Sequence, residues 1–414
     1  DSDAESEGDE DEEAEEAAER ETAAAKRLRL AKRYIETVKS DLAGEVGETD
    51  AADLDREIIA SRLHSDALEA AGKMQKKIAD AVVVPDENNV IFFSTRESTK
   101  KATTAVALPP TFDLSLLADG SMRSRKLHMF SSAKDGIIAQ WDISNVGTGK
   151  RAPKNAKAHT GEVLCLTVSV DGKYLASGGA DHRICLWDTG EEFLPVKVFQ
   201  QHRDAITSLV FQRRTDNGVL YSASADRTIK LWNTDELGYI ETLFGHQESI
   251  HDMDALTREQ AVSVGGRDRS VRLWKISQEQ QLVFKGGAAT KGIRKQFENK
   301  THYLEGSIDA VAMIDEDRYI TGGDTGVISL WSIHKKKPVF VFHAAHGYEN
   351  PKVLGWNTRR PRAITAVAAL PHSDMFMTGS WDGYVRLWKL AEDNKSFIQF
   401  GAVPAKGIVN CISL

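Results

Sequence analysis

The apolar residues in the first part of the chain recur at the spacing of a helix. Within KRLRLAKRYIETVKS at 26–40, Leu28, Ala31, Ile35 and Val38 follow one another at steps of three or four, which aligns them on one side of a helix. A second stripe has similar spacing and consists of Ile59, Leu63, Ala67, Ala71, Met74 and Ile78. The two stripes predict a helical extension over residues 26–80.

From about residue 128 the pattern changes to short apolar runs separated by turn residues, and one segment recurs six times. The copies read DGIIAQW, DHRICLW, DRTIKLW, DRSVRLW, TGVISLW and DGYVRLW, and they end at Trp141, Trp187, Trp232, Trp274, Trp331 and Trp388. Successive tryptophans are 46, 45, 42, 57 and 57 residues apart. A β-propeller blade takes about 40 to 45 residues, so the last two intervals predict blades with an insertion.

The polar residues of the repeat predict a structural hydrogen-bond network. Five copies have an aspartate six residues before the tryptophan, and four of these have Ser or Thr four residues earlier; the aspartates are Asp135, Asp181, Asp226, Asp268 and Asp382. His159, His202 and His246 lie 28 to 30 residues before their tryptophans. A catalytic Ser-His-Asp set occurs once in a protein, whereas this set recurs from blade to blade, so we predict no enzyme. Val264 and Thr325 interrupt the pattern, which predicts incomplete networks in the fourth and fifth blades.

These repeats resemble the WD-repeat family, whose propellers usually close with seven blades. The segment VIFF at 90–93 is a candidate outer strand, and GIVNCISL at 407–414 resembles the first strand of one more blade. The resemblance implies an all-β, seven-bladed WD-repeat β-propeller over 81–414, with its last blade truncated in this fragment. An acidic segment, 1–25, and the helical extension, 26–80, precede it.

Composition narrows the class of protein. Residues 1–21 carry thirteen acids and one base, which gives this segment a net charge of −12. The net charge of the whole chain is −8, so the remaining residues have a net charge of +4. Such an acidic run lacks the apolar surface needed for folding and is predicted to be disordered. No apolar run approaches the roughly 18 residues of a membrane span. The three cysteines are far apart, which predicts a reducing compartment, no disulfide and no metal site, and no sequence feature indicates a cofactor.

Cations concentrate where a propeller would place one set of loops. In a propeller, the loop that enters a blade and the turn at the repeated aspartate open on the same face. This rule predicts a rim of candidate RNA-binding residues, namely Lys134, Arg183, His202, Arg203, Arg227, Arg267, Arg269, Arg359 and Arg360. The charge pattern alone leaves open whether the rim binds nucleic acid or an acidic protein partner.

The basic residues of the first helix form a second candidate surface. They surround its apolar stripe and are Lys26, Arg27, Arg29, Lys32 and Arg33. Two interpretations remain open: a solvated helix that packs on the chain's own domain, or a segment that docks on an acidic partner or nucleic acid.

Several stretches indicate a narrower family than WD-repeat proteins in general. They are MFSSAKDGIIAQWDI at 129–143, GEVLCLTVSVDGKYLASGGADHRICLW at 161–187, QHRDAITSLVF at 201–211, YIETLFGHQESIHDMDAL at 239–256 and VSVGGRDRSVRLWKI at 262–276. Together with the acidic run and the basic helix, they resemble the family of U3 small nucleolar RNA-interacting WD-repeat proteins.

The resemblance implies a function and a set of partners. It implies a non-catalytic subunit of the U3 small nucleolar ribonucleoprotein that binds the box B/C region of U3 RNA beside a small kink-turn-binding protein. The other partners would be proteins of the small-subunit processome, the location the nucleolus, and the role pre-ribosomal RNA processing in ribosome biogenesis. No membrane or small-molecule substrate is implied. The alternative is a WD-repeat scaffold whose basic rim binds an acidic peptide.

Overall fold

The computed structural model describes most of the repeat region. The described residues are 76–85, 90, 101–109, 128–142, 154–157, 159–190, 193–213, 218–286, 306–349, 361–391 and 393–414. All of them belong to the compact unit Gln75–Leu414. The acidic segment, both apolar stripes up to Met74, the five cations of the first helix, residues 91–93, Arg359 and Arg360 lie outside the described residues.

Six four-stranded antiparallel sheets follow one another along the described chain, each built from four consecutive strands. In chain order the strands are β1 Thr103–Ala107, β2 His128–Ala133, β3 Ile137–Asp142, β4 Lys154–Lys157; β5 Val163–Val168, β6 Tyr174–Gly179, β7 Ile184–Asp188, β8 Pro195–Phe199; β9 Ile206–Phe211, β10 Val219–Ser224, β11 Thr228–Asn233, β12 Gly238–Phe244; β13 Ile250–Ala255, β14 Gln260–Gly265, β15 Ser270–Lys275, β16 Gln280–Lys285; β17 Ile308–Asp315, β18 Arg318–Gly323, β19 Ile328–Ser332, β20 Phe340–Phe342; and β21 Ala366–Ala369, β22 Met375–Gly379, β23 Tyr384–Leu390, β24 Phe397–Pro404. The all-β propeller prediction is therefore confirmed, with six complete blades.

The hydrophobic core lies between neighbouring blades. Cys165 and Ile184 of the second blade, for example, form one buried cluster with Ile206 and Trp232 of the third. Contact is so close that a Cβ atom on Gly178 would lie 2.6 Å from Cγ2 of Ile206. Since buried apolar clusters span all five junctions from the first blade to the sixth, each blade stabilises the next one along the chain.

The last residues of the chain lie between the first and sixth blades. The backbone N–H of Val409 donates to the carbonyl of Ser380 (3.1 Å), and the side-chain amide of Asn410 donates to the carbonyl of Thr103 (2.9 Å). Residues 410–414 line the central channel together with the six inner strands β1, β5, β9, β13, β17 and β21. The segment GIVNCISL thus lines the same channel as the inner strands.

The end of the predicted helical extension is not helical. Lys76 forms a parallel bridge with Ser373, and the backbone N–H groups of Ile78 and Ala79 donate to Oδ1 of Asp374 at 2.8 and 3.0 Å. Because these contacts satisfy the backbone groups outside a helix, the apolar spacing that includes Ile78 overestimates the helix at this end. Residues 76–79 instead pack against the turn between β21 and β22.

Candidate functional site

The turn that contains the repeated aspartate lies beside the loop that enters the same blade. In the second blade the backbone N–H of Ala180 donates to the carbonyl of Glu162 (2.8 Å), and in the third Ala225 donates to Ala205 (2.9 Å). We call the end of the propeller formed by these turns and loops the turn face. It includes the turns between the second and third strands of all six blades.

The second blade shows the hydrogen-bond network of this face. The hydroxyl of Ser177 accepts from the indole N–H of Trp187 (2.9 Å) and lies 2.8 Å from Nε2 of His159. Nδ1 of His159 lies 2.9 Å from the carboxylate of Asp181, which also accepts the backbone N–H of Thr160 (3.0 Å). Both ring nitrogens are thus occupied, and the network joins the turn, the entering loop and the blade core.

Four aspartates of these networks have lowered pKa values. Burial alone would raise the pKa of each carboxyl, but the hydrogen bond with the histidine and the backbone donors around it outweigh this cost; the residues are Asp181, Asp226, Asp268 and Asp382. The pKa of Asp268 falls to about 2. The carboxylates are therefore ionised at neutral pH and act as fixed acceptors.

The fourth blade corrects one prediction. Its network is complete, because the hydroxyl comes from Ser263 instead of position 264: it accepts from Trp274 (2.8 Å) and lies 2.7 Å from Nε2 of His246. Ser263 precedes Asp268 by five residues, since this turn is one residue longer than in the second blade. Val264 is fully buried in the apolar core.

The sixth blade contains a network histidine that sequence spacing missed. Nδ1 of His346 lies 2.9 Å from Asp382, and its Nε2 lies 2.9 Å from the hydroxyl of Thr378. His346 precedes Trp388 by 42 residues, because the insertion 343–363 extends past the histidine before the blade begins. The residue after the histidine gives no signal, since it is Gly347 here and Thr160, Arg203 or Gln247 in the other blades.

In the first and fifth blades the tryptophan still binds a strand hydroxyl. Trp141 donates to Ser131 at 2.8 Å, and Trp331 donates to Thr321 at 2.9 Å. This bond thus occurs in all six blades and fixes the third strand against the second.

The candidate cations on the described part of the turn face fall into two groups. Lys134, Arg203, Arg227 and Arg267 are exposed, and Arg183 and Arg269 are partly buried. Lys134 approaches Glu162 at 3.9 Å. Within the described ranges, the other three exposed cations form no ion pair. Their charge is therefore available to an anionic partner, although exposed Asp204 reduces the local potential beside Arg203.

His202 does not belong to this exposed group. Its side chain is buried, with Nδ1 2.9 Å from Asp226 and Nε2 2.8 Å from Ser222. The prediction that it offers a side chain to a partner is corrected, because both polar atoms are used in the structural network of the third blade.

The residue after the repeated aspartate, or after Thr325 in the fifth blade, adopts a left-handed backbone conformation in every blade. Three blades have glycine there, at Gly136, Gly326 and Gly383, whereas the others have His182 (φ 65°), Arg227 (φ 71°) and Arg269 (φ 51°). A side chain in this conformation costs about 1–2 kcal/mol relative to the right-handed region. Two blades thus carry an arginine at a position where the backbone favours glycine.

The Ser-His-Asp sets of this face are structural hydrogen-bond networks. They occur in several blades, and their hydroxyls accept hydrogen bonds from indole N–H groups. The part of the chain that the structure covers contains no cluster of potential metal ligands. Nor do the described residues include a helix able to span a membrane. Fold and face together define a WD-repeat β-propeller. The family model "WD domain, G-beta repeat" matches residues 153–188, 193–233, 238–275 and 357–389.

Comparison with known proteins narrows the family. Ribosomal RNA-processing protein 9 of Saccharomyces cerevisiae is 30% identical, over 94% of this chain and 81% of its own length. U3 small nucleolar RNA-interacting protein 2 of Homo sapiens is 35% identical, over 93% and 74%. A solved structure of U3-55K superposes with a TM-score of 0.63 and 35% identity, over 76% of this chain and 86% of that one. The chain belongs to the family of U3 small nucleolar RNA-interacting WD-repeat proteins.

Proposed function

We propose that the chain is a non-catalytic RNA-binding subunit of the U3 small nucleolar ribonucleoprotein, with a role in pre-ribosomal RNA processing and small-subunit biogenesis. Its target would be the box B/C region of U3 RNA, bound beside a kink-turn-binding protein in the nucleolus. The names of its relatives support the particle and the process, and the cationic turn face supports RNA as the ligand. Other processome proteins would dock on the extension that contains Lys26, Arg27, Arg29, Lys32 and Arg33.

One observation carries the RNA-binding proposal. Arg203, Arg227 and Arg267 are exposed on the same face, lie on two consecutive blades, and form no ion pair with the described residues. Phosphate groups at these positions would release condensed counterions when they bind, which makes RNA affinity fall steeply with salt. A face built for uncharged partners would gain nothing from such cations.

Equilibrium binding to a U3 box B/C RNA, measured at several salt concentrations, tests the proposal. The variant Arg203→Glu/Arg227→Glu/Arg267→Glu should bind at least tenfold more weakly, with a salt dependence flattened by about two counterions. Lys335→Glu/Lys336→Glu/Lys337→Glu is the matched control, because it makes the same charge change at exposed residues between β19 and β20, away from the turn face.

Two results would contradict the proposal. Equal losses in the two variants would mean that overall charge, rather than the turn face, determines RNA affinity. An unchanged affinity in the turn-face variant, together with loss of an acidic peptide or protein partner, would favour the alternative WD-repeat scaffold.

The proposal includes a propeller with seven blade positions, of which residues 407–414 begin the seventh. Residues 410–414 line the channel with six inner strands, and Val409 and Asn410 bond to the sixth and the first blade, as the inner strand of a seventh blade would. Truncation at residue 406 is expected to lower the melting temperature by several degrees, measured by circular dichroism. An unchanged melting temperature would contradict this closure.

A further inference from the structure

The turn face of the sixth blade carries exposed aromatic rings in place of cations. Trp381 is 50% exposed and Tyr384 is 44% exposed. Trp381 stands immediately before Asp382, as Lys134 and Arg267 stand before their own turn aspartates. Tyr384 stands two residues after Asp382, which is the position of Arg183 in the second blade. The repeat therefore places both rings at the turn positions that hold cations in other blades.

A third ring is held close by the network of this blade. His346 binds Asp382, and the next two residues are Gly347 and Tyr348, of which Tyr348 is 51% exposed. The backbone N–H of Arg362 donates to the carbonyl of Gly347 at 3.0 Å, and Tyr348 forms a bridge with Pro361. These bonds fix the backbone that carries Tyr348 beside the Asp382 turn.

The exposure of Trp381 is not explained by packing. The other tryptophans of the described residues are at most 9% exposed and bind strand hydroxyls; they are Trp141, Trp187, Trp232, Trp274, Trp331 and Trp388. Exposure of half of a large apolar ring to water is unfavourable in free energy, and a polar residue on the same turn would avoid this cost. It is therefore suited to a ligand that covers its face.

The charges around these rings suit an anionic ligand with flat groups. Asp382 does not present a free negative charge, because His346 binds it at 2.9 Å and Nη2 of Arg386 binds it at 3.2 Å. The cations of the first four blades lie on the same face. Unpaired RNA supplies both requirements, phosphates for the cations and bases whose faces stack on aromatic rings.

We propose that Trp381 and Tyr384 form a stacking platform for unpaired RNA bases, with Tyr348 at its edge. The inference rests on the proposed RNA-binding function. It assigns different parts of the RNA to different blades of the turn face: the first four blades bind phosphates, and the sixth binds bases that are not paired. Stacking contributes affinity without releasing counterions, so the two parts differ in their salt dependence.

The test compares two RNA duplexes that differ only in an unpaired internal bulge, each titrated into the full 414-residue chain. The variant Trp381→Ala/Tyr384→Ala should bind the bulged duplex at least fivefold more weakly and bind the fully paired duplex unchanged, with an unaltered salt dependence. Tyr239→Ala is the control, since Tyr239 is 43% exposed but lies near the start of β12, at the other end of its blade. Quenching of Trp381 fluorescence by the bulged duplex, absent in Trp381→Phe, gives an independent readout.

The outcomes separate this inference from the function on which it rests. Unchanged affinity of the aromatic variant for the bulged duplex, while the turn-face charge reversal still weakens binding, would overturn the platform alone. No RNA binding by the unaltered chain would overturn both. Loss of affinity for a polyglutamate peptide with RNA binding intact would assign the rings to a peptide and also contradict the platform.

Discussion

Arg227 combines a strained backbone conformation with an exposed side chain. It adopts a left-handed conformation (φ 71°) at the tip of its turn, where three other blades have glycine. Its side chain is exposed on the turn face. The repeat places Arg227 on the rim, but an arginine does not itself indicate a left-handed backbone. Only the glycines at the same position of three other blades do so.

The substitution Arg227→Gly should therefore separate stability from binding. We expect the free energy of unfolding to stay constant or rise by up to about 1 kcal/mol, since relief of strain is partly offset by the greater freedom of glycine in the unfolded chain. RNA affinity should fall severalfold. Chemical denaturation and RNA titration measure the two effects, and loss of stability without loss of affinity would contradict this account of Arg227.

At the scale of the element, the blade depends on one hydroxyl that binds both the tryptophan and, in four blades, the histidine. The sequence predicted the repeat and the networks of the second and third blades, because aspartate and tryptophan keep a fixed separation of six residues. It failed at Ser263 and His346, where one extra turn residue and a long insertion changed the separations. Hydrogen bonding depends on position in space, so fixed sequence intervals lose the partner whenever a loop changes length.

Ser263→Ala tests whether the shifted hydroxyl works as those in the other blades do. Removing it leaves the indole N–H of Trp274 and Nε2 of His246 without a buried partner, which should lower the free energy of unfolding by about 2–3 kcal/mol. Ser329→Ala, on β19, should change it by less than about 0.5 kcal/mol. Equal effects of the two substitutions in urea denaturation would show that the Ser263 network adds no stability.

At the scale of the whole molecule, the repeat predicts the fold but does not identify the ligand. Each blade places its turn on the same face, so the positions of Lys134, Arg203 and Arg267 followed from the repeat alone. The sequence assigned His202 both to the network and to the rim, and its buried side chain shows that only the network assignment is correct. An exposed arginine does not encode its partner, because phosphate and carboxylate both satisfy a guanidinium.

Crosslinking and sequencing of RNA bound to the chain in cells tests the central claim most directly. The account predicts reads concentrated on the box B/C region of U3 RNA, lost in Arg203→Glu/Arg227→Glu/Arg267→Glu and retained in the Lys335→Glu/Lys336→Glu/Lys337→Glu control. Dispersed reads, or reads on U3 that persist in the turn-face variant, would contradict it.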